Sequence, residues 1–445
     1  MTVIGMSSSI DWEFTSRSYT PGMINLFQKQ NWGRLLVAAS LLVAQQASVL
    51  AAADEHSDDS RRHAEIKHVF VIVLENEGYD VTFGATSKAP YLSKTLTSQG
   101  VLLSQYYGTG HASLDNYIAM ISGQAATPDT RNDCQVYADF TLTGMTPDGQ
   151  AIGSGCVYPA AIKTLPDQLN AAGKTWRAYA EDMGNDPNRE SASCGHPTLN
   201  TTDLTQSAEK PSTSVPMGDQ YASRHNPFVY FHSIIDSSTC RSNVVNLMGF
   251  ANDLKSEATT PNFVFITPNL CNDGHDGPCV TGAPGGLVSA DAFLQKWIPA
   301  IMSSPAYQKD GLIAIIFDEG GLAAVPNPSG SGYLISAPGN TCCNEQPGPN
   351  LASFPQSSTI GPYTLTYQSF GGDRTGAVLL SPFLKGGTVS ETPFNHYSLL
   401  KSLEEIYGIE GRLGYAGQAG LVSFFGCESS DIKVHAEKQF AHCEM

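Results

Sequence analysis

The stretch Val69 to Leu74, V-F-V-I-V-L, limits what this chain can fold into more than any other. It is an unbroken apolar run rich in β-branched residues, which suits a strand buried on both faces, as in a parallel sheet covered by helices. The run stops at Glu75-Asn76, with Gly78 and Asp80 just beyond. In open α/β sheets ligands bind outside the carboxyl ends of the strands. A carboxylate and an amide at such an edge are placed to hold a hard cation. The competing reading is a strand that ends in an ordinary polar loop.

The same pattern recurs along the chain. Leu312 to Phe317, L-I-A-I-I-F, is a second buried strand and ends in Asp318-Glu319-Gly320-Gly321. Asn262 to Thr267 is another, opening into P-N-L-C-N-D-G-H-D-G, and Thr175 to Ala180 ends in Glu181-Asp182. Val101 to Tyr107 and Ala377 to Leu380 complete the expected strands. Helices are expected at Tyr91–Gln99, Leu165–Ala172, Ala290–Met302 and His396–Tyr407. One more starts at Ser113, where Leu114, Tyr117, Ile118 and Ile121 recur at helical spacing and Gly123 suits the end. Alternating strands and helices indicate an α/β fold, a three-layer α/β/α sandwich with a mostly parallel central sheet. A single domain is expected over 67–445, with irregular insertions near 124–164, 183–225 and 322–373. The last of these, rich in Pro, Gly and Ser, reads as a lid or as decoration.

Gly33 to Ala53 reads as a secretory signal. Lys29 and Arg34 are its basic region, Leu35 to Ala44 its apolar region, and Ala51-Ala52-Ala53 a small-residue cleavage site before Asp54. The long leader, 1–53, makes Met23 a candidate start, and 54–66 reads as a linker. The apolar run is short for a membrane span and is interrupted by Gln45-Gln46, which favours cleavage and a secreted or periplasmic protein. The ten cysteines all follow the cleavage site, and an even number in an exported chain points to disulfides. Cys271 with Cys279 and Cys427 with Cys443 are the easiest local pairs. With 25 basic against 42 acidic residues, a formal charge of -17, the chain lacks the footprint of a nucleic-acid binder.

Ser113 follows the small-residue turn Gly108-Thr-Gly-His-Ala and opens a helix. A serine there serves most often as an N-cap. As a nucleophile it gains from the helix terminus, whose amides receive an anion such as phosphate, and from a divalent cation that lowers its hydroxyl pKa. Four motifs occur in order: E-N-x-x-Y-D at Glu75 to Asp80, H-x-S-x-x-N-Y-I-A-x-I-S-G at His111 to Gly123, T-P-N-x-C-N-D-G-H-D at Thr267 to Asp276, and F-D-E-G at Phe317 to Gly320.

Together they resemble the bacterial and fungal phosphoesterase family that contains acid phosphatases and phospholipases C, within the alkaline phosphatase superfamily. The resemblance runs from about Lys67 to Tyr407. It implies that Glu75, Asn76, Asp318 and Glu319 are metal ligands and that Ser113 is the nucleophile and also touches the metal. It implies further that His275 and Asp276 lie near the transferred phosphate, that Asn269, Asn272 and His111 contact it or orient neighbours, and that His396 is a further site histidine. An oxygen-rich ligand set suits Mg, Ca or Mn, with Zn also used by superfamily relatives.

The expected activity is that of a secreted, metal-dependent phosphomonoesterase acting through a phosphoserine intermediate on a small phosphorylated substrate. A phosphodiesterase or phospholipase C acting on a lipid head group is the alternative. Glu77-Gly78-Tyr79 stands where lipase members of the family tend to carry Arg-Ser-Phe, which tilts the reading to the phosphatase. Ser113 is followed by Leu-Asp-Asn rather than the Pro-x-Arg of sulfatases with an oxidised nucleophile. A non-catalytic binding protein on the same scaffold is the reading from another class, and loss of Ser113 or of a metal carboxylate would mark it. Neither is lost.

Overall fold

The computed structural model describes residues 66–426 apart from 276 and 361. All of these belong to one of the two units into which the chain divides, Ser60–Met445. The expected leader and signal, nearly all of the linker, Asp276 and the pair Cys427–Cys443 lie outside the described residues.

Eight strands form the main sheet: β1 (His68–Leu74), β2 (Val101–Leu103), β3 (Trp176–Ala180), β4 (Val244–Asn246), β5 (Phe263–Thr267), β6 (Gly311–Phe317), β7 (Ala377–Leu380) and β8 (Thr388–Ser390). Their spatial order is β8-β2-β7-β6-β1-β5-β3-β4. β1 pairs in parallel with β5 on one side and β6 on the other. Only β7 runs against its neighbours, β6 and β2. Every residue of β1, β5 and β6 is buried, which is why these segments read as continuous apolar runs rather than alternating ones.

Alternation along β1 sends its side chains into two separate cores. Val69, Val71 and Val73 pack with Leu114, Tyr117 and Ile121 of α1 (Ser113–Ser122) and with Leu399, Leu400 and Leu403. Phe70, Ile72 and Leu74 pack with Ala290, Phe293, Leu294 and Trp297 of α2 (Gly286–Met302). The second group of leucines on the first face belongs to α3 (His396–Ile406). Helices on both faces of one sheet give three layers. Each fully buried Val, Ile, Leu or Phe adds about 1.5–3 kcal/mol to that arrangement.

Several elements differ from expectation. The segment at Tyr91 starts as a wide π-helical turn, Tyr91–Leu96, before the short helical Thr97–Gln99. The strand expected over Val101–Tyr107 breaks after Leu103, and Tyr106–Tyr107 pairs instead with Phe394–Asn395. Within 124–164 lies a hairpin, Thr141–Met145 with Ala151–Ser154. The 322–373 insertion is not patternless. It contains a four-stranded sheet in which Ala324–Pro326, Tyr333–Ala337, Tyr363–Tyr367 and Gln356–Ile360 lie side by side in that order. Its strands are short and largely exposed, and hydroxyl residues break up three of the four, so they lack the apolar density that betrays a buried strand. The Gly320 N–H donates to the Gly372 carbonyl where the insertion begins and ends, at 2.8 Å.

Disulfides join Cys271 to Cys279, as expected, and also Cys134 to Cys156, Cys194 to Cys240 and the adjacent Cys342 to Cys343. Among the described residues no helix is long and apolar enough to cross a membrane.

Candidate active site

The two central strands deliver their carboxylates to one point. β1 and β6 are in register up to Leu74 and Phe317, so Glu75-Asn76 and Asp318-Glu319 leave the sheet edge together. The Asn76 N–H donates to Asp318 Oδ1 at 2.9 Å. α1 meets the same point through its first turn, where Ser113 Oγ donates to Glu75 Oε2 at 2.9 Å and the Tyr117 hydroxyl to Glu75 Oε1 at 2.6 Å. Ser113 is not the cap of its helix: Ala112 occupies that position, which leaves the serine hydroxyl to face the carboxylate.

Asn116 fixes the turn that presents Ser113. Its Oδ1 accepts from the backbone N–H groups of Thr109 (2.7 Å) and Gly110 (3.1 Å), and its Nδ2 donates to the carbonyls of Gly110 and Ala112, both 3.0 Å. Gly108 lets this turn pass the end of β6, since a Cβ there would lie 2.5 Å from the Asp318 carbonyl oxygen. At the far end of α1, Gly123 closes the helix with φ 66, a left-handed conformation that glycine adopts at low cost.

Glu75 and Asp318 are buried, and burial pushes both carboxyls well above their ordinary range, with mutual repulsion adding for Glu75 and Glu319 adding for Asp318. Asn76 Oδ1 and Asp318 Oδ2 are buried with no hydrogen-bond partner. Oxygens left without a donor beside crowded carboxylates are of the type that a hard cation takes as ligands. Among the described residues no group of three or more His, Cys, Asp or Glu is arranged as a metal cluster. The set available here is mixed: the carboxylates of Glu75 and Asp318, the Asn76 amide oxygen and the Ser113 hydroxyl.

Glu319 is placed differently from its neighbour. Its Oε1 accepts from Asn76 Nδ2 at 2.9 Å and its Oε2 from Asn116 Nδ2 at 3.3 Å. It holds the Asn76 amide nitrogen, which leaves Oδ1 on the other side of the amide group. His111 sits 3.6 Å from Glu319 through Nδ1 and bonds Asp373 Oδ2 at 2.7 Å through Nε2. Burial opposes its charged form, but the bonds and charges of Asp373 and Glu319 outweigh that and raise its pKa to about 9. His111 is therefore an imidazolium at neutral pH.

His396 is buried at the start of α3. Nε2 faces the Asp318 backbone carbonyl at 2.6 Å and Nδ1 the Tyr106 hydroxyl at 2.9 Å. Burial lowers its pKa to about 4, so the neutral ring donates from Nε2 and accepts at Nδ1. The geometry makes it a peg beneath Asp318. Asn269 and Asn272 bond to acidic side chains and to their own loop. Asn269 Nδ2 donates to Asp182 Oδ2 at 2.7 Å, Asn272 Nδ2 donates to Glu181 Oε2 at 2.9 Å, and Asn269 Oδ1 accepts from the N–H groups of Cys271 and Asn272. They staple the loop after β5 to the end of β3, and the Cys271–Cys279 disulfide closes it. That loop returns to the site: the Glu75 N–H donates to the Asp273 carbonyl at 2.8 Å, and exposed His275 bonds Asp273 Oδ1 through its backbone N–H at 3.0 Å.

Four residues not singled out in the sequence belong to this neighbourhood. Asn116 and Tyr117 lay inside a recognised motif, and their i+3 and i+4 spacing from Ser113 puts them on its helix face. Asp373 stands at the end of the insertion, where nothing in the sequence marks it. His225 closes a stretch that reads as polar loop. It is buried, stacks on Tyr117 at 5.4 Å, and brings Nε2 to 3.5 Å from Glu75 Oε1, while burial holds its pKa well below the ordinary value.

The chain is also similar to known proteins. The model of the family described as "Phosphoesterase family" matches residues 87–410. A probable acid phosphatase of Kluyveromyces lactis is 25% identical over 59% of this chain and 50% of its own length. A phosphatidylinositol-3-phosphatase of Mycobacterium tuberculosis is 23% identical over 79% of this chain and 80% of its own. The chain spans about half the length of the fungal acid phosphatases it matches. Among solved structures, a protein in the alkaline phosphatase superfamily from Vibrio parahaemolyticus aligns over 79% of this chain and 68% of its own, with 11% identity and a TM-score of 0.43.

Proposed function

As the chain belongs to the phosphoesterase family, we propose that it is a secreted, metal-dependent phosphomonoesterase of acid-phosphatase type. The observation that carries this reading is the Ser113 hydroxyl at the head of α1, bonded to Glu75 beside the partnerless oxygens of Asn76 and Asp318. Glu75, Asn76, Asp318 and Ser113 would hold a divalent cation, Mg, Ca, Mn or Zn. When bound, such an ion lowers the serine pKa and neutralises phosphoryl oxygens.

The side chains then divide the work. Ser113 Oγ attacks phosphorus in line with the leaving oxygen. The O–P bond to serine forms as the bond to the leaving group breaks, and a phosphoserine results. His275 protonates the departing alkoxide, and water hydrolyses the phosphoserine to free phosphate and Ser113. Glu319 orients Asn76 and Asn116, and the His111 imidazolium, aligned by Asp373, offsets negative charge beside the phosphoryl group. His396 sets the height of Asp318. Asn269 and Asn272 hold the loop that carries His275, and Asp276 is proposed to act beside it.

The names of the fungal relatives support the phosphomonoester reading, and that of the mycobacterial relative supports a phosphoinositide or other lipid head group as a possible substrate. The four disulfides support export to an oxidising compartment.

The test is phosphate release from matched chromogenic mono- and diesters, before and after chelation and with single metals restored. Monoester turnover restored by one metal and reduced at least ~10³-fold in Ser113→Ala is expected. A better rate on the diester would select the phospholipase C reading. Full activity in Ser113→Ala would remove the mechanism, and silence with every metal and ester would favour a binding role.

A further inference from the structure

The sheet inserted between Glu319 and Asp373 carries apolar side chains that the fold leaves partly uncovered. Its strands Tyr333–Ala337 and Tyr363–Tyr367 run side by side in the same direction, pairing Tyr333 with Tyr363, Ile335 with Leu365 and Ala337 with Tyr367. Side chains alternate across a strand, so Tyr333, Ile335, Tyr363, Leu365 and Tyr367 share one face. The stacked rings of Tyr333 and Tyr363, with centroids 5.4 Å apart, agree with that assignment. The opposite face carries hydroxyl pairs, Ser357 with Thr366 and Thr359 with Thr364, beside Leu334 and Val325. The longer apolar row, and both exposed tyrosines, lie on the first face. Tyr333 and Tyr363 are each 43% exposed, and Ile335 and Leu365 are half-buried.

Both strands run towards the site. Just past Ala337, the Asn340 N–H donates to Asp373 Oδ1 at 2.7 Å, and Asp373 is the residue that holds His111. Tyr367 receives the Arg131 guanidinium over its ring at 4.1 Å, and Arg131 also donates to Gln356, the cross-strand partner of Tyr367, at 3.1 Å. Arg131 lies two residues before Asp133, whose Oδ1 accepts from the Leu114 N–H in the first turn of α1 at 3.0 Å. Tyr367 is within electrostatic reach of Glu319, Asp115 and Asp133. Four strand rises of about 3.3 Å separate the tyrosine pair from Tyr367, so an apolar strip roughly 13 Å long leads from solvent down towards the nucleophile.

Resting on the phosphoesterase reading, we infer that this strip binds the leaving group, and that the preferred substrates are phosphomonoesters of elongated, uncharged apolar alcohols. The charged end of such a molecule meets Ser113 and its apolar arm lies along Leu365, Ile335 and the tyrosine pair. The formal charge of -17 disfavours an anionic arm in the same place.

The experiment is phosphate release from n-alkyl phosphates, methyl to decyl, each below its micelle concentration, by the full chain and by Tyr333→Ser/Tyr363→Ser. In the wild type kcat/KM should rise roughly two-fold per methylene, since a one-sided strip removes only about half of each group from water. The double variant should keep methyl phosphate within two-fold and lose the rise for the longer chains. A flat wild-type series that includes turnover of methyl phosphate overturns the inference, and so does an unchanged slope in the variant. An equal loss on methyl phosphate would make the tyrosines structural and overturn it as well. No phosphate from any ester in the wild type would instead refute the phosphoesterase reading, and this inference with it.

Discussion

The buried peg His396 gives the fold an acid limit whose size can be worked out. Its folded pKa is lowered to about 4 from 6.5, with burial as the cause. A group whose charged form is disfavoured in the folded state supports stability above its unfolded pKa and loses that support as pH falls. Below pH 6.5 the unfolded chain takes up a proton that the folded chain refuses, at about 1.4 kcal/mol per pH unit. By pH 5 this single ring should cost about 2 kcal/mol, and the loss should level off near pH 4 at about 3 kcal/mol. His396→Gln removes the titration and can still donate to the Asp318 carbonyl. The variant should be less stable than the wild type at pH 7, because the Tyr106 hydroxyl loses its acceptor, but the gap should narrow by about 2 kcal/mol between pH 7 and pH 5. Urea unfolding of both proteins with chelator present, read by tryptophan fluorescence, measures this. Parallel pH dependences would refute the assignment of His396 as a neutral buried peg.

The other expectations are simpler to read. Asn116→Ala leaves the Thr109 and Gly110 N–H groups without their acceptor, so stability should fall by about 3 kcal/mol and turnover at least ~10-fold, because the turn before Ser113 loosens; a variant as stable and active as the wild type would remove Asn116 from the site. In Asp373→Asn, His111 meets a neutral partner at Nε2 while the Glu319 carboxylate stays in place, so its pKa, raised to about 9 in the wild type, should fall part of the way towards the ordinary histidine range in an NMR titration; an unchanged value would mean that Asp373 is not what holds the charge. Chelation should lower the melting temperature and a single added divalent cation restore it, since an ion that binds only the folded chain stabilises it by mass action; no shift in either direction would count against the Glu75–Asn76–Asp318 site.

The strands that build the site were legible because they are buried on both faces. β1, β5 and β6 are apolar except at an end, His68 in β1 and Thr267 in β5, and β1 and β6 stop at the candidate pairs Glu75-Asn76 and Asp318-Glu319. Ser113 was legible for the related reason that a small-residue turn precedes a strongly periodic helix. His396 was visible as a residue but not as a role, because a peg under a carbonyl and a ligand beside a phosphate have the same local sequence. His225 and Asp373 were hidden. Each reaches the site through long-range packing, from a stretch whose local sequence reads as loop. The inserted sheet was hidden for a different reason: its strands are short and exposed and mix hydroxyl with apolar residues, which on composition alone is hard to tell from loop.

The bond from Gly320 to Gly372 has a consequence for how such a protein can diversify. The roughly fifty residues between those glycines leave and rejoin the molecule at almost the same place, so the cost of closing that excursion depends only weakly on its length. Selection can lengthen, shorten or redecorate it without shifting the register of β1 against β6, on which the position of Glu75 and Asp318 depends. Chemistry and selectivity can then change largely apart in one chain, as long as Asn340 keeps its bond to Asp373 and so to His111.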